Sequence, residues 1–257
     1  MRTIGVFDSG VGGVSVLKEV LRKFPADNII YFGDSLHAPY GEKEIDEIRS
    51  LCLKVSDFLV YEKKVDALVI ACNTATGAAM DIMQKRYGIP VVGVVENGAA
   101  EGVKHTHNKN IGVIATPATI KMDLYKKSIA KIDSSIKTYS VKCPLFVGMI
   151  EKGWEDTLEN DELIKSYLNE FSVEIDTLIL GCTHYPLIRK YIARHFNGNI
   201  IDPAEETAKS LKKIIGEGEY LQKPYLKFYA SGDPEKFKKV AQEFLGQEIC
   251  EVEKIIL

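Results

Sequence analysis

A sequence pattern that occurs twice constrains the fold of this chain more than any other feature. Segment 66–74 (DALVIACNT) resembles segment 176–184 (DTLILGCTH), 110 positions later. In the same order, segment 4–6 (IGV) recurs at 111–113, 107 positions later. Two chance matches between common strand sequences are the alternative, but the agreement in order and offset favours a duplicated domain. We therefore expect two related halves, each with one cysteine at the end of its third strand.

Short apolar segments alternate with amphipathic segments along the chain. Segments 15–24, 43–63 and 75–87 have the apolar spacing of helices, and Gly88 and Pro90 end the third. The strand candidates are apolar on both faces, as in parallel sheets covered by helices. This order predicts an α/β fold of two pseudo-symmetric domains with mostly parallel central sheets and an active site in the cleft between them. The predicted strands are 4–7, 29–32, 67–71, 91–95, 111–115, 137–141, 178–181, 200–202 and 227–230.

The two repeats also predict how the chain is divided. Both repeats are complete by about residue 205. The remaining segment of the chain contains a predicted helix at 207–215, a strand around Phe228 and a helix at 234–245. The simplest arrangement returns this segment to the first half. The predicted first domain is therefore 1–97 plus 206–257, and the predicted second domain is 98–205.

Composition and charge disfavour several classes of function. The formal net charge of −3 over 257 residues gives no general affinity for nucleic acid, so we expect no nucleic-acid partner as the main role. No apolar segment approaches the roughly 18 residues of a membrane span, and the chain starts without an export signal. The five cysteines are odd in number and widely spaced. We therefore expect a cytoplasmic protein with free thiols and no membrane partner.

Cys72 and Cys182 differ from the other cysteines in their position. Each follows a buried strand and precedes polar residues that begin a helix. This edge of an α/β sheet is where ligands bind, and a helix N-terminus lowers the pKa of a thiol. A strand cysteine is more often an inert apolar residue, which is the interpretation we keep for Cys52, Cys143 and Cys250. If the halves face each other, Cys72 and Cys182 meet across one cleft.

The spacing of the motifs argues against a metal or a nucleotide cofactor. The cysteines lack the C-x₂₋₄-C spacing of zinc sites and the C-x-x-C spacing of redox pairs. Loop 8–13 (DSGVGG) follows the first strand, but a dinucleotide fingerprint would require glycine in place of Ser15. Asp34 could imitate the acid that binds a ribose, although the missing glycine disfavours this role. We expect neither cofactor nor metal.

Polar loops at the same sheet edge supply candidate ligand-binding residues. Asp8 and Ser9 are more than a tight turn requires, which favours a ligand role. Loop 33–41 (GDSLHAPYG) carries Asp, Ser, His and Tyr, although ordinary turn chemistry also explains its glycines and proline. Thr116 and Thr119 occupy the equivalent edge of the second half. Their hydroxyls can hold a carboxylate or cap the next helix.

Together these motifs resemble those of the bacterial glutamate racemases, in the wider aspartate/glutamate racemase family that works without pyridoxal phosphate. The resemblance covers nearly the whole chain. Its motifs are GVFDSGVGG at 5–13, GDS and APYG within 33–41, ACNTAT at 71–76, TPATI at 116–120 and LGCTHYP at 180–186.

The resemblance implies interconversion of L- and D-glutamate, which supplies D-glutamate for peptidoglycan, by a homodimer. It implies that Cys72 and Cys182 are the two acid/base catalysts. The auxiliary catalytic positions match Asp8, Glu151 and His184, with Glu151 on a looser pattern in which Gly148-Met149 replaces the more usual Pro-Leu. The implied substrate contacts are Asp8, Ser9, Tyr40, Gly41, Asn73, Thr74, Thr119, Thr183 and His184.

The chemistry of racemisation requires such an arrangement. Inverting a stereocentre through a planar carbanion needs a base on one face and an acid on the other, and two thiols in different protonation states can exchange these roles. Uncharged donors from Asn73, Thr74 and Thr183 suit the negative charge that develops on the α-carboxylate. Two alternatives remain. The first is a racemase of aspartate or another amino acid, which would differ in its loops and not in its cysteines. The second is a binding module on the same scaffold, which would keep the pocket but would not need two thiols.

Overall fold

The computed structural model describes residues 1–220 and 222–257, which form ten β-strands and eleven α-helices. The strands are β1 (Thr3–Asp8), β2 (Asn28–Gly33), β3 (Ala67–Ile70), β4 (Val91–Gly93), β5 (Asn110–Ala115), β6 (Lys137–Lys142), β7 (Thr177–Gly181), β8 (Asn199–Ile201), β9 (Leu226–Ala230) and β10 (Val252–Lys254). The helices are α1 (Val14–Lys23), α2 (Ile45–Asp57), α3 (Asn73–Arg86), α4 (Val94–His105), α5 (Pro117–Lys121), α6 (Leu124–Ile132), α7 (Phe146–Glu151), α8 (Leu158–Leu168), α9 (Arg189–Ile192), α10 (Pro203–Ile215) and α11 (Pro234–Leu245).

The strands form two sheets in which every strand pair is parallel. The first sheet has the order β10-β9-β2-β1-β3-β4, and the second has the order β6-β5-β7-β8. The order β2-β1-β3-β4 therefore recurs as β6-β5-β7-β8. The strand that precedes a motif cysteine, β3 or β7, lies next to the first strand of its half. This confirms the predicted α/β fold with two related, parallel domains.

Local sequence explains where several elements begin and end. Every residue of β1, β2 and β3 is buried, so their apolar sequences fit the middle of a covered sheet. The helix α11 starts after Asp233, whose carboxylate accepts hydrogen bonds from the Glu235 and Lys236 amides. It ends at Gly246, whose φ of 74° lies in the left-handed region that glycine adopts without strain.

The last segment of the chain returns to the first sheet. β9 pairs with β2, and β10 pairs with β9 at the edge. The helices α4 and α10 pack against each other, and each also contacts elements of both halves: α3 and β7 for α4, α1 and β7 for α10. The division into 1–97 plus 206–257 and 98–205 therefore stays a prediction, because its limits fall next to or within these bridging helices.

Some predicted limits are wrong for identifiable reasons. The predicted strand 91–95 is too long, because Val94 and Val95 already form the first turn of α4. The predicted helix 43–63 is interrupted, because α2 ends at Asp57 and a π-helical turn follows at Phe58–Glu62. Within the described ranges of the chain, no helix is both long and apolar enough to span a bilayer.

Candidate active site

One cavity is lined by the loops that follow the carboxyl ends of the parallel strands in both halves. Its empty volume is about 410 Å³. Cys72 follows β3 and Cys182 follows β7, and both line this cavity, as the sequence predicted. The predicted residues that line it are Ser9, Tyr40, Gly41, Cys72, Asn73, Thr74, Glu151, Cys182, Thr183 and His184. Gly10, Ala38, Pro39, Thr116, Val147 and Gly181 complete the wall.

Cys72 lies at the N-terminus of α3, where its Sγ accepts a hydrogen bond from the Ala75 amide at 3.4 Å. The side chain is buried, and burial together with the nearby Asp8 carboxylate raises the pKa of the Cys72 thiol to about 12. The Ala75 amide at the helix N-terminus does lower this pKa, but the loss of water around the sulfur outweighs it, so the net shift is opposite to the one expected. In the unliganded protein Cys72 is therefore a neutral thiol at neutral pH.

This raised pKa predicts slow alkylation of Cys72. At pH 8, a thiol with a pKa of 12 is thiolate in about one molecule in ten thousand. We expect the rate of carbamidomethylation by iodoacetamide, measured by mass spectrometry of the Cys72 peptide, to rise about tenfold per pH unit from pH 7 to pH 10. The exposed Cys250 supplies an internal comparison at each pH. A rate at Cys72 that levels off below pH 9, in protein that is still folded, would contradict the assignment.

Cys182 belongs to a chain of three polar groups. Its Sγ lies 3.7 Å from Nδ1 of His184, and Nε2 of His184 lies 2.9 Å from Oε1 of Glu151. Burial alone would lower the pKa of His184, but its contacts with Cys182 and Glu151 raise it to about 10. Burial alone would raise the pKa of Glu151, but the hydrogen bond from His184 lowers it. At neutral pH an imidazolium–carboxylate pair therefore lies beside the Cys182 sulfur.

Asp8 lies behind the cavity wall and does not line it. Its Oδ2 accepts a hydrogen bond from the Gly10 amide at 3.0 Å. Its Oδ1 is buried and has no hydrogen-bond partner among the residues that the structure describes. Burial raises the pKa of Asp8, even though the positive charge of His184 lowers it. A buried carboxyl with one free oxygen, close to a thiol, can hold or pass on a proton.

Tyr40 lines the cavity, and its hydroxyl takes part in a hydrogen bond within the protein. This hydroxyl donates a hydrogen bond to Oδ2 of Asp34 at 2.5 Å, and Ser231 donates to Oδ1 of Asp34 at 2.6 Å. Both carboxylate oxygens of Asp34 therefore have partners within the protein, and Asp34 supports the loop. Gly41 is required by close packing, because a Cβ there would lie 2.8 Å from Cβ of Thr116 in the other half. The loop after β2 is thus fixed from two sides.

Three threonine hydroxyls join the two halves beside Gly41. Oγ1 of Thr74 lies 3.0 Å from Oγ1 of Thr119 and 3.2 Å from Oγ1 of Thr116. Thr119 is buried behind Thr74 and does not line the cavity, whereas Thr116 does. Thr116 also caps α5, because its Oγ1 accepts a hydrogen bond from the Thr119 amide. Thr119 therefore supports Thr74 and Thr116, and its predicted contact with the substrate stays a prediction.

Sequence reasoning missed two features of the site. Val147 lines the cavity from α7, and only its place within the looser pattern around Glu151 could have indicated it. Tyr125, from α6, donates a hydrogen bond to Oδ1 of Asn73 at 2.6 Å. No motif marks this tyrosine. Within the described residues, no group of three His, Cys, Asp or Glu side chains is arranged to hold a metal ion.

Comparison with known proteins agrees with this geometry. Residues 4–211 match the family model described as Asp/Glu/Hydantoin racemase. The glutamate racemase of Geobacter metallireducens is 37% identical over 263 residues, covering 100% of this chain and 97% of that protein. The crystal structure of a glutamate racemase isoform from Bacillus anthracis superposes with a TM-score of 0.94 at 37% identity, covering 100% of this chain and 98% of that one. The crystal structure of the glutamate racemase from Francisella tularensis in complex with D-glutamate superposes with a TM-score of 0.93 at 37% identity. This match covers 99% of this chain and 97% of that one.

A match over most of the chain and full-length relatives at this identity define the class of protein. The chain belongs to the Asp/Glu/hydantoin racemase family. It is an isomerase, and bacterial glutamate racemases are among its full-length relatives within the family.

Proposed function

We propose that the protein interconverts L- and D-glutamate, with Cys72 and Cys182 as the two acid/base catalysts and without a cofactor. The observation that carries the proposal is the placement of the two cysteines: they end equivalent strands of two sheets with the same strand order and line one cavity. Relatives of the same length are named glutamate racemases, and one of the similar structures holds D-glutamate. These names support the choice of substrate.

In this mechanism one sulfur removes the proton from Cα while the other delivers a proton to the opposite face. Cys72 has to be a thiolate to act as the base, and burial opposes this in the unliganded protein. The ammonium group of a bound amino acid supplies an opposite charge, which lowers the pKa of a nearby thiol. Substrate binding and activation of the base are thereby coupled. Serving as the acid requires only the neutral thiol, which burial favours.

The auxiliary residues move protons on and off the two sulfurs. On one side the His184 imidazolium, held by Glu151, lies within reach of the Cys182 sulfur. On the other side Asp8, buried with one free oxygen, is close enough to Cys72 to influence its pKa. Each sulfur thus has its own proton carrier, so the two can occupy different protonation states at the same time.

Neutral donors surround the place proposed for the α-carboxylate. Asn73, Thr74 and Thr183 line the cavity beside the two cysteines, and the first two belong to the N-terminal turn of α3. Such donors stabilise the charge that grows on the carboxylate as Cα loses its proton. Ser9 and the loop at Tyr40 and Gly41 also line the cavity, and we propose that they hold the distal carboxylate.

The biological role that follows is the supply of D-glutamate for peptidoglycan, by a homodimer in the cytoplasm. This part of the proposal depends on the family resemblance. A deletion strain that requires D-glutamate for growth, and that this gene complements, would support the role. Light scattering of the purified protein tests the dimer.

The reaction itself gives the most direct test. Protein dialysed against a chelator should convert L-glutamate to a racemic mixture, so that the circular dichroism of the solution decays to zero from either enantiomer. We expect kcat/KM for aspartate to be at least about tenfold lower, because one missing methylene is worth about 1–3 kcal/mol in a pocket of fixed size. Equal kcat/KM values for the two amino acids would contradict the assignment to glutamate. Binding of glutamate without racemisation would favour the binding module.

A further inference from the structure

We propose that Tyr125 is a positioning residue that orients the amide of Asn73, so that its Nδ2 group faces the α-carboxylate of the substrate. The inference depends on the proposed function, because it concerns how the same cavity receives its carboxylate. It adds a residue from the second half of the chain that lies outside every motif.

The contact joins the two halves next to a catalytic cysteine. Asn73 follows Cys72 directly and is the first residue of α3. Asn73 is one of the residues that line the cavity. The hydroxyl of Tyr125, in α6, donates to Oδ1 of Asn73 at 2.6 Å, and both residues are buried. In the described part of the chain, the side chain of Asn73 makes its hydrogen bond through Oδ1. The two N–H groups on Nδ2 are therefore left for a ligand.

The direction of this hydrogen bond decides the electrostatics of the cavity. An amide can turn over by 180° and exchange its oxygen and nitrogen at little internal cost. If Asn73 turned over, Oδ1 would face the incoming carboxylate and repel it. The distance of 2.6 Å between the tyrosine oxygen and the amide fits an O–H···O hydrogen bond better than an N–H···O one, which favours the orientation with Oδ1 towards Tyr125. Burial raises the pKa of Tyr125 well above its usual value of 10, so this hydroxyl keeps the proton that it donates.

The ring of Tyr125 has little freedom to move away. A Cβ at Gly98 of α4 would lie 3.2 Å from one ring carbon, and a Cβ at Gly181 would lie 3.1 Å from another. The ring therefore packs closely against α4 on one side and against the end of β7 on the other. Gly181 directly precedes Cys182, and Asn73 directly follows Cys72. One rigid side chain thus contacts both segments that carry the cysteines.

Tyr125→Phe removes the hydroxyl and keeps the ring, so the packing against Gly98 and Gly181 is retained. We expect kcat/KM for glutamate to fall about 10- to 100-fold, less than the roughly 10²- to 10³-fold cost of removing such a donor, because the Asn73 amide remains and loses only its fixed orientation. The loss should appear both in kcat and as weaker binding of glutamate, with the larger part in kcat, because the carboxylate is charged in the substrate and gains further charge as the reaction proceeds. Tyr87→Phe is the matched control. Its hydroxyl donates to Asp57 at 2.7 Å on a different surface, so activity should be unchanged.

A double-mutant cycle separates positioning from a general structural effect. If Tyr125 acts through Asn73, then Tyr125→Phe should cause no further loss of kcat/KM in an Asn73→Ala background. A structural role predicts the same fold-loss in both backgrounds. Asn73→Asp, which keeps the shape but presents a negative oxygen, should raise KM for glutamate more than Asn73→Ala does. This second variant leaves Tyr125 intact and tests the orientation directly.

Three results would overturn the inference: wild-type kcat/KM in Tyr125→Phe, an additive cycle, or equal KM values for the two Asn73 variants. Thermal unfolding of each variant shows that the assays are made on folded protein. If the wild-type protein does not racemise glutamate, the proposed function fails. Calorimetric titration with D-glutamate then still tests the inference, which predicts weaker binding by Tyr125→Phe than by Tyr87→Phe.

Discussion

Cys72→Ser and Cys182→Ser are each expected to lower the racemisation of glutamate by about 10²- to 10⁴-fold, the usual contribution of a general acid/base. A serine hydroxyl is a much weaker acid than a thiol, whereas its size is similar, so the fold should be retained. Overall racemisation does not show which cysteine acts on which enantiomer. Because the equilibrium constant between enantiomers is one, kcat/KM must fall equally in both directions.

A half-reaction separates the two cysteines. In a glutamate analogue with chloride at Cβ, one base removes the Cα proton as the C–Cl bond breaks, a C=C bond forms and chloride leaves. No acid on the other face is required. By the family resemblance, Cys72 takes the proton from the D enantiomer and Cys182 from the L enantiomer. We therefore expect Cys182→Ser to eliminate chloride from the D analogue and Cys72→Ser to eliminate it from the L analogue.

Each variant should be poor with the other enantiomer, and chloride release measures all four combinations. Cys250→Ser is the control, since Cys250 is exposed and lies outside the cavity. It should eliminate both analogues at the wild-type rate. Similar losses in all four combinations would show that the cysteines act as one unit or through the fold, and not as two bases on opposite faces.

The parts of the structure that could be predicted from sequence follow from buried parallel strands. A strand that is apolar on both faces has one location, inside a covered sheet, and the residues after its carboxyl end reach the ligand edge. The repeated segments at Cys72 and Cys182 therefore predicted both the paired sheets and one shared cavity. The loops at Ser9 and Gly41 were predicted to line this cavity for the same reason, because each follows the carboxyl end of a buried strand.

The parts that could not be predicted depend on contacts between distant residues. Tyr125 and Asn73 are 52 positions apart, and Ser231 and Asp34 are 197 positions apart, with no local pattern linking either pair. The pKa of Cys72 was predicted with the wrong sign, because the helix N-terminus is visible in sequence while the degree of burial is not. Short β10, at the sheet edge, has too few apolar residues to be recognised.

His184→Asn is the second substitution with a large expected effect, and it should act on one face of the substrate. His184 is bonded to Glu151 and lies beside the Cys182 sulfur, so its loss removes the proton carrier of that side alone. We expect chloride elimination from the L analogue to slow by about 10²-fold, at the low end of general acid/base effects, while elimination from the D analogue stays within a few-fold.

The same variant should change how stability depends on pH. The pKa of His184 in the folded protein is about 10, above its usual value of 6.5, so protonation of His184 stabilises the fold. That contribution is fully present below pH 6.5 and is lost as pH rises through 10. The difference in unfolding free energy between wild type and His184→Asn, measured by urea denaturation, should therefore shrink from pH 6.5 to pH 10.

His195→Asn controls for the loss of an imidazole–carboxylate pair elsewhere, which is partly exposed. Nε2 of His195 lies 2.5 Å from Oδ1 of Asp161, and neither residue lines the cavity. This variant should eliminate chloride from both analogues at the wild-type rate, whatever it does to stability. Equal slowing of both analogues by His184→Asn would contradict a carrier that serves only Cys182. It would mean instead that His184 acts on both faces, through Asp8 and Cys72, since its charge also lowers the pKa of Asp8.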